Sequence, residues 1–154
     1  MVALRAEDLA LARRCVDGDR EAQRTLFRRQ RARVHATLYR VLGSNTHIED
    51  LVQDAFLEIF RSLATFRGEA SLSTWIDRCT VRVAFAFLDR KRKTAQLAIV
   101  ADPAVDASGV DRRVAAREAL RHLYRALDQL PAPQRVAFVL HEIEGRARWP
   151  RSPT

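Results

Sequence analysis

Ile48, Leu51, Val52, Ala55, Phe56, Ile59, Phe60 and Leu63 recur at i, i+3, i+4 and i+7 without a miss. That rhythm predicts a helix with one continuous apolar face. Thr46 stands before it with Glu49 three residues on, the spacing of a capping box in which hydroxyl and carboxylate each satisfy a free amide. The same reading gives a short helix over residues 6–17, halted at Gly18-Asp19, and a long one from Arg20 to Leu42 (Leu26, Phe27, Val34, Leu38, Tyr39, Leu42) that Gly43 ends. A fourth helix starts at Ser71 or Ser73, either able to cap it, and runs to Lys93. Its stripe is Trp75, Ile76, Cys79, Val83, Ala86 and Phe87, while Val81, Phe85 and Leu88 occupy another side. Such a helix is expected to sit between neighbours, at the centre of a four-helix domain.

After residue 95 the pattern lapses. TAQLAIVADPAVDASGVD has no aromatic residue, one proline, one glycine and three aspartates, which reads as a linker over 96–112. A fifth helix follows from 111 to 129 (Val114, Leu120, Leu123, Tyr124, Leu127), stopped by Pro131. Pro133 suits the first turn of a sixth, carrying Val136, Phe138, Val139, Leu140 and Ile143 to Gly145. The tail RARWPRSPT, 146–154, has no period and two prolines and is expected to be disordered. The fold class is all-α.

Composition narrows the function. A chain of 154 residues holds one ordinary domain or two small ones, and 27 Lys+Arg against 19 Asp+Glu leave it at +8. A strongly basic balance favours an anionic partner, nucleic acid or an acidic membrane surface. Nothing approaches the ~20 apolar residues of a membrane span, and MVALRAEDLA lacks the basic start and apolar run of a signal peptide. The expected location is the cytoplasm. Cys15 and Cys79 stand alone within helical patterns and read as buried, reduced thiols. His141-Glu142 starts like HExxH, but position 145 is glycine, so no second zinc ligand follows. No catalytic residue, metal ligand or cofactor site is predicted.

The charges are segregated. The second helix carries seven arginines against one glutamate between Arg20 and Arg40, whereas Glu49, Asp50, Asp54 and Glu58 meet no cation between Ile48 and Phe60. Asp50, Asp54 and Glu58, at i, i+4 and i+8, share the face opposite the apolar stripe, with Gln53 and Leu57 beside them. The pattern admits a solvated acidic face or a docking surface for a basic partner. Acid/base catalysis fits poorly, because paired carboxylates need a dry pocket to separate their pKa values.

Phe66, Arg67, Gly68, Glu69 and Ser71 form a loop with an aromatic, a flexible backbone and short hydroxyls, groups that suit an unstacked base. Beyond it Trp75, Arg78, Arg82 and Asp89 fall within about 60° of one another on the fourth helix. Arg90, Lys91, Arg92 and Lys93 close that helix and suit phosphates, which give affinity without sequence information. The alternative is that Phe66 and Trp75 are core and the basic block answers the helix dipole.

HIEDLVQDAFLEIFRSLATFRGEASLSTWIDRCTVRVAFAFLDRKRK resembles the promoter-opening domain, region 2, of bacterial sigma factors of the extracytoplasmic-function (ECF) group. DLVQDAF followed at this distance by FRG and TW is the specific part, and the likeness extends over residues 6–95, making 1–95 the expected region 2 domain. The resemblance implies no enzyme but a subunit that binds RNA polymerase core and directs promoter recognition and melting. It implies docking on the clamp coiled coil through Asp50, Gln53 and Asp54, with Leu57 nearby. It implies capture of a flipped base of the minus-ten element by Phe66, Arg67, Gly68, Glu69 and Ser71, and strand contact by Trp75, Arg78 and Arg82. Arg82 stands where many relatives have asparagine, so their base preference does not transfer.

LDQLPAPQRVAFVLHEIEG resembles the entry to the second family domain, region 4, giving 113–145 as its start. Only nine residues follow Gly145, so the expectation is an incomplete region 4 without the helix that reads the minus-thirty-five element; a frame change would account for the Arg/Pro-rich tail. The alternative function is a truncated decoy that occupies polymerase or an anti-sigma factor without starting transcription.

Overall fold

The computed structural model describes residues 2–97, 112–139 and 141. Residues 98–111 of the linker expected over 96–112, the end of the sixth helix past 141 and the tail at 146–154 lie outside them; 96, 97 and 112 are helical. Six α-helices account for nearly all of it: α1 (Val2–Val16), α2 (Arg20–Leu42), α3 (Ile48–Ser62), α4 (Leu72–Leu97), α5 (Arg112–Asp128) and α6 (Ala132–Phe138), with a 3-10 turn at Leu63–Thr65. The chain divides into two compact units, Met1–Ala86 and Phe87–Thr154, with the division inside α4.

The first unit is built on α2 and α3. Leu26, Val34, Leu38 and Val41 of α2 and Ile48, Leu51, Val52, Ala55, Phe56 and Ile59 of α3 are buried. Each fully buried leucine or isoleucine contributes about 1.5–3 kcal/mol of transfer free energy. Local chemistry sets the ends. Asp19 caps α2, its Oδ1 accepting from the Glu21 and Ala22 amides at 3.0 and 3.1 Å while Oδ2 takes the Arg14 guanidinium. Gly43 ends α2 at φ 70, its amide donating to the Tyr39 carbonyl at 2.7 Å.

The capping box before α3 does not form. The cap position is His47 with φ 72 and no side-chain cap bond. Thr46 Oγ1 accepts from the Ser44 hydroxyl at 2.9 Å instead, and the Glu49 carboxylate accepts from Arg31 at 3.0 Å. A cation brought alongside by the α2–α3 packing takes the carboxylate that the local motif would have used.

The buried stripe of α4 also differs from the expected one. Leu72, Ile76, Cys79, Val81 and Ala84 are buried together with Asp77 and Thr80, whereas Phe85 and Ala86 are exposed and Trp75, Val83, Phe87 and Leu88 are half-buried. The Thr80 hydroxyl returns to the Ile76 carbonyl at 2.9 Å. Asp77, 2% exposed, is held by Arg33 of α2 through bonds of 2.9, 3.1 and 2.7 Å. This forked pair lets a charged residue occupy a position that periodicity would fill with an aliphatic side chain. Cys15 and Cys79 are free thiols, as expected. Burial, in each case the largest influence, pushes both up from the ordinary thiol range.

In the second unit, Leu127 of α5 and Ala132 and Val136 of α6 are buried, as is Val139 just beyond. Leu120 and Phe138, expected in the stripes, are exposed. Pro131 stands at the cap of α6 and accepts from the amides of Gln134 and Arg135 at 2.9 and 3.1 Å. Arg135 is buried, donating to Asp128 and lying over the Tyr124 ring at 5.8 Å.

Candidate functional site

The outer face of α3 carries Asp50, Gln53, Asp54 and Leu57, all exposed. Leu57, a large aliphatic residue, is 54% exposed. Among the described residues Asp50 and Asp54 have no ion pair, although α2 supplies many arginines; Glu49, one position earlier, takes both Arg31 at 3.0 Å and the His35 ring at 4.0 Å. The two carboxylates, the amide and the leucine therefore form a surface that folding leaves unused. Its backing is rigid, since the opposite side of the same helix is the core.

The loop after the 3-10 turn is held from below. Gly68 has φ +73, and a Cβ placed there would lie 2.8 Å from Leu9 Cδ1 of α1. That close approach in left-handed backbone explains the glycine. At the end of the loop the Leu72 amide donates to Asp8 Oδ2 of α1 at 2.8 Å, and the Gln30 amide nitrogen donates to Ser73 Oγ at 3.0 Å. Ser71, rather than Ser73, caps α4: its hydroxyl accepts from the Thr74 amide at 3.1 Å.

Arg67, Glu69 and Ser71 are exposed and Gly68 is half-buried. Phe66 is 8% exposed and edge-on to Trp75 with centroids 5.8 Å apart, so its ring lies in the core rather than on the surface of the loop. The short 3-10 turn swings the chain so that the ring enters the core beneath the loop, the Phe66 amide closing onto the Leu63 carbonyl at 3.0 Å. Trp75, half-buried, has the Phe66 ring on one side, and Arg78 and Arg82 follow it on one face of α4. Neither guanidinium has an ion pair among the described residues. In the second unit, Arg90, Lys91, Arg92 and Lys93 are exposed, with Lys93 paired to Asp89 at 2.8 Å.

Sequence reasoning missed the supports. Asp8, Leu9, Gln30 and the Arg33–Asp77 pair act across the chain, and nothing local marks them. Among the described residues no cluster of side chains is suited to a metal ion, and no helix is long and apolar enough to cross a membrane.

Residues 26–94, which contain both the exposed flank and the supported loop, match the Sigma-70 region 2 family. The chain is 30% identical over 148 residues to the ECF RNA polymerase sigma-E factor of Haemophilus influenzae, covering 90% of this chain and 78% of that one. It belongs to the ECF sigma factor family. It is also 35% identical over 130 residues to the ECF sigma factor SigM of Mycobacterium tuberculosis, of whose length it spans 64%. The sigma-E factor of Escherichia coli K12 is 27% identical over 148 residues, with 77% of its length covered. ECF sigma factors are regulators of transcription, not enzymes.

Proposed function

We propose that the protein is a promoter-specificity subunit: it docks on RNA polymerase core through Asp50, Gln53, Asp54 and Leu57 and thereby directs transcription initiation. The observation that carries this reading is the α3 flank, where an exposed leucine stands beside exposed carboxylates that have no ion pair among the described residues. Such a surface matches a basic helical partner with an apolar seam, as the clamp coiled coil of the polymerase is expected to be.

DNA is then held by the neighbouring loop. Arg67, Glu69 and Ser71 offer hydrogen-bonding groups to the edge of a base from the minus-ten element, and the Gly68 turn permits close backbone approach. Phe66 supports that loop from inside rather than stacking on the base. Trp75, Arg78 and Arg82 contact the separated strand. Arg90, Lys91, Arg92 and Lys93 supply phosphate contacts, which make affinity fall as salt rises.

The test mixes the purified chain with core polymerase and a fluorescent minus-ten single strand. Capture of the strand by the complex, but not by core alone, is the expected result. Absence of a complex with core would sink the reading. Run-off transcription from a promoter library then separates an initiating subunit from a silent decoy.

A further inference from the structure

The stripe that begins at Trp75 does not stop at Arg82. Trp75, Arg78, Arg82 and Phe85 are spaced by three, four and three residues, so they share one face of α4. Periodicity predicts Phe85 as a packing residue, yet 37% of it is exposed. Val81 and Ala84 beside it occupy the core side and are buried, so Phe85 is turned toward the face where Arg82 is also exposed. The arginines of this stripe are available to a ligand, having no hydrogen bond or ion pair among the described residues. Asp77, adjacent to Arg78 in the chain, is engaged by Arg33 at 2.7 Å and points into the core.

The resulting order along the helix is aromatic, cation, cation, aromatic. At a rise of about 1.5 Å per residue the two rings are about 15 Å apart along the axis. That distance spans about four nucleotides of stacked strand at 3.4 Å each. Rings at the ends and guanidiniums between them match bases flanking a run of phosphates. An acidic protein segment would satisfy the guanidiniums but would leave the rings without planar partners.

We propose that Phe85 is a nucleobase contact, stacking on a base of the opened promoter strand at the end of the stripe farthest from the Phe66–Ser71 loop. This inference rests on the reading of the chain as a promoter-binding subunit. The sequence-independent π-face of a base makes such a contact tolerant of promoter sequence.

The experiment uses the full chain bound to core polymerase and a fluorescent single strand of about 12 nucleotides, chosen by the wild-type complex from a random library. Phe85→Ala and Phe85→Leu are expected to weaken strand affinity about tenfold, and Phe85→Trp to retain it. The leucine variant keeps apolar bulk and therefore the wild-type melting temperature, which separates stacking from folding. All three should keep polymerase affinity and the slope of log affinity against log salt, whereas Arg82→Ala should flatten that slope by about 0.7. Wild-type strand affinity in Phe85→Leu overturns the inference and leaves the functional reading standing. Loss of polymerase affinity in Phe85→Ala also overturns it, by assigning the ring to a protein contact. If the wild-type complex selects no strand, the functional reading fails and this inference with it.

Discussion

The outer flank of α3 and the loop of residues 66–71 are the two halves of the candidate site, and they are built in opposite ways. Asp50, Gln53, Asp54 and Leu57 take no part in holding the fold; they ride on a helix whose other side does that work. The loop, by contrast, is tied to the fold at several points: Phe66 lies against Trp75 and Gly68 close to Leu9, and just past it Leu72 is held by Asp8 and Ser73 by Gln30. Binding and folding are therefore separable on the flank and entangled in the loop.

The largest effect should come from reversing the flank. Asp50→Arg with Asp54→Arg is expected to lower affinity for core polymerase by a factor on the order of 100 or more, since like charges set against a basic partner cost several kcal/mol. Helicity should stay unchanged, because both positions are exposed, neither carboxylate has an ion pair among the described residues, and one like-charged i, i+4 pair replaces another. A variant that lost polymerase and also melted early would end the distinction between the two halves.

Next is the buried pair behind the loop. Arg33→Ala leaves the Asp77 carboxylate buried without its forked partner and should destabilise the first unit by about 3 kcal/mol, the low end for breaking a buried pair because Arg33 itself is partly in solvent. Urea unfolding measures it. A change below about 0.5 kcal/mol would mean that the pair is a surface interaction in practice.

Gly68→Ala sharpens the comparison from the other side. Left-handed backbone costs a residue with a Cβ about 1–2 kcal/mol, and that Cβ also meets Leu9 at 2.8 Å. The expected outcome is a modest loss of stability with a larger loss of strand capture and intact affinity for polymerase. If strand capture survives, the shape of the turn does not matter to DNA.

The smallest effect is one of pH and lies away from both regions. The Asp19 carboxyl is held below its ordinary range, first by the Ala22 amide and then by the Arg14 side chain. A depressed folded pKa means that the stabilisation is complete above the unfolded value of about 3.9 and is lost as pH falls through the lower folded value. The difference in melting temperature between wild type and Asp19→Asn should therefore be greatest near neutrality and shrink in acid. An unchanged difference across that range would remove the charge from the account and leave only the geometry of the cap.

Much of this was legible beforehand. The apolar stripe of α3 is so regular that its bounds and its solvent face follow from spacing, and with them the flank of Asp50, Gln53, Asp54 and Leu57. The 3.6-residue period was a poorer guide on α4. There the helix meets α1, α2 and α3 through Asp8–Leu72, Gln30–Ser73, Arg33–Asp77 and the 3.9 Å approach of Ser62 to Cys79. A helix with neighbours on several sides buries an aspartate and a threonine where partners meet them and leaves Phe85 partly exposed on the remaining side. Thr46 and Glu49 show the same limit on a smaller scale, since the motif was present but a cation from α2 claimed the carboxylate.

The order of amino acids by itself determined the helices, the segregation of acid on α3 from base on α2, and the presence of a glycine turn between two helices. These depend on contacts within a few residues, where period and charge act directly. Tertiary structure alone decided that Phe66 points inward, that Phe85 points outward, and that Asp77 is buried against Arg33. Each of those outcomes depends on which side chain from a distant part of the chain arrives first at a shared position, and such competition leaves no mark in local spacing.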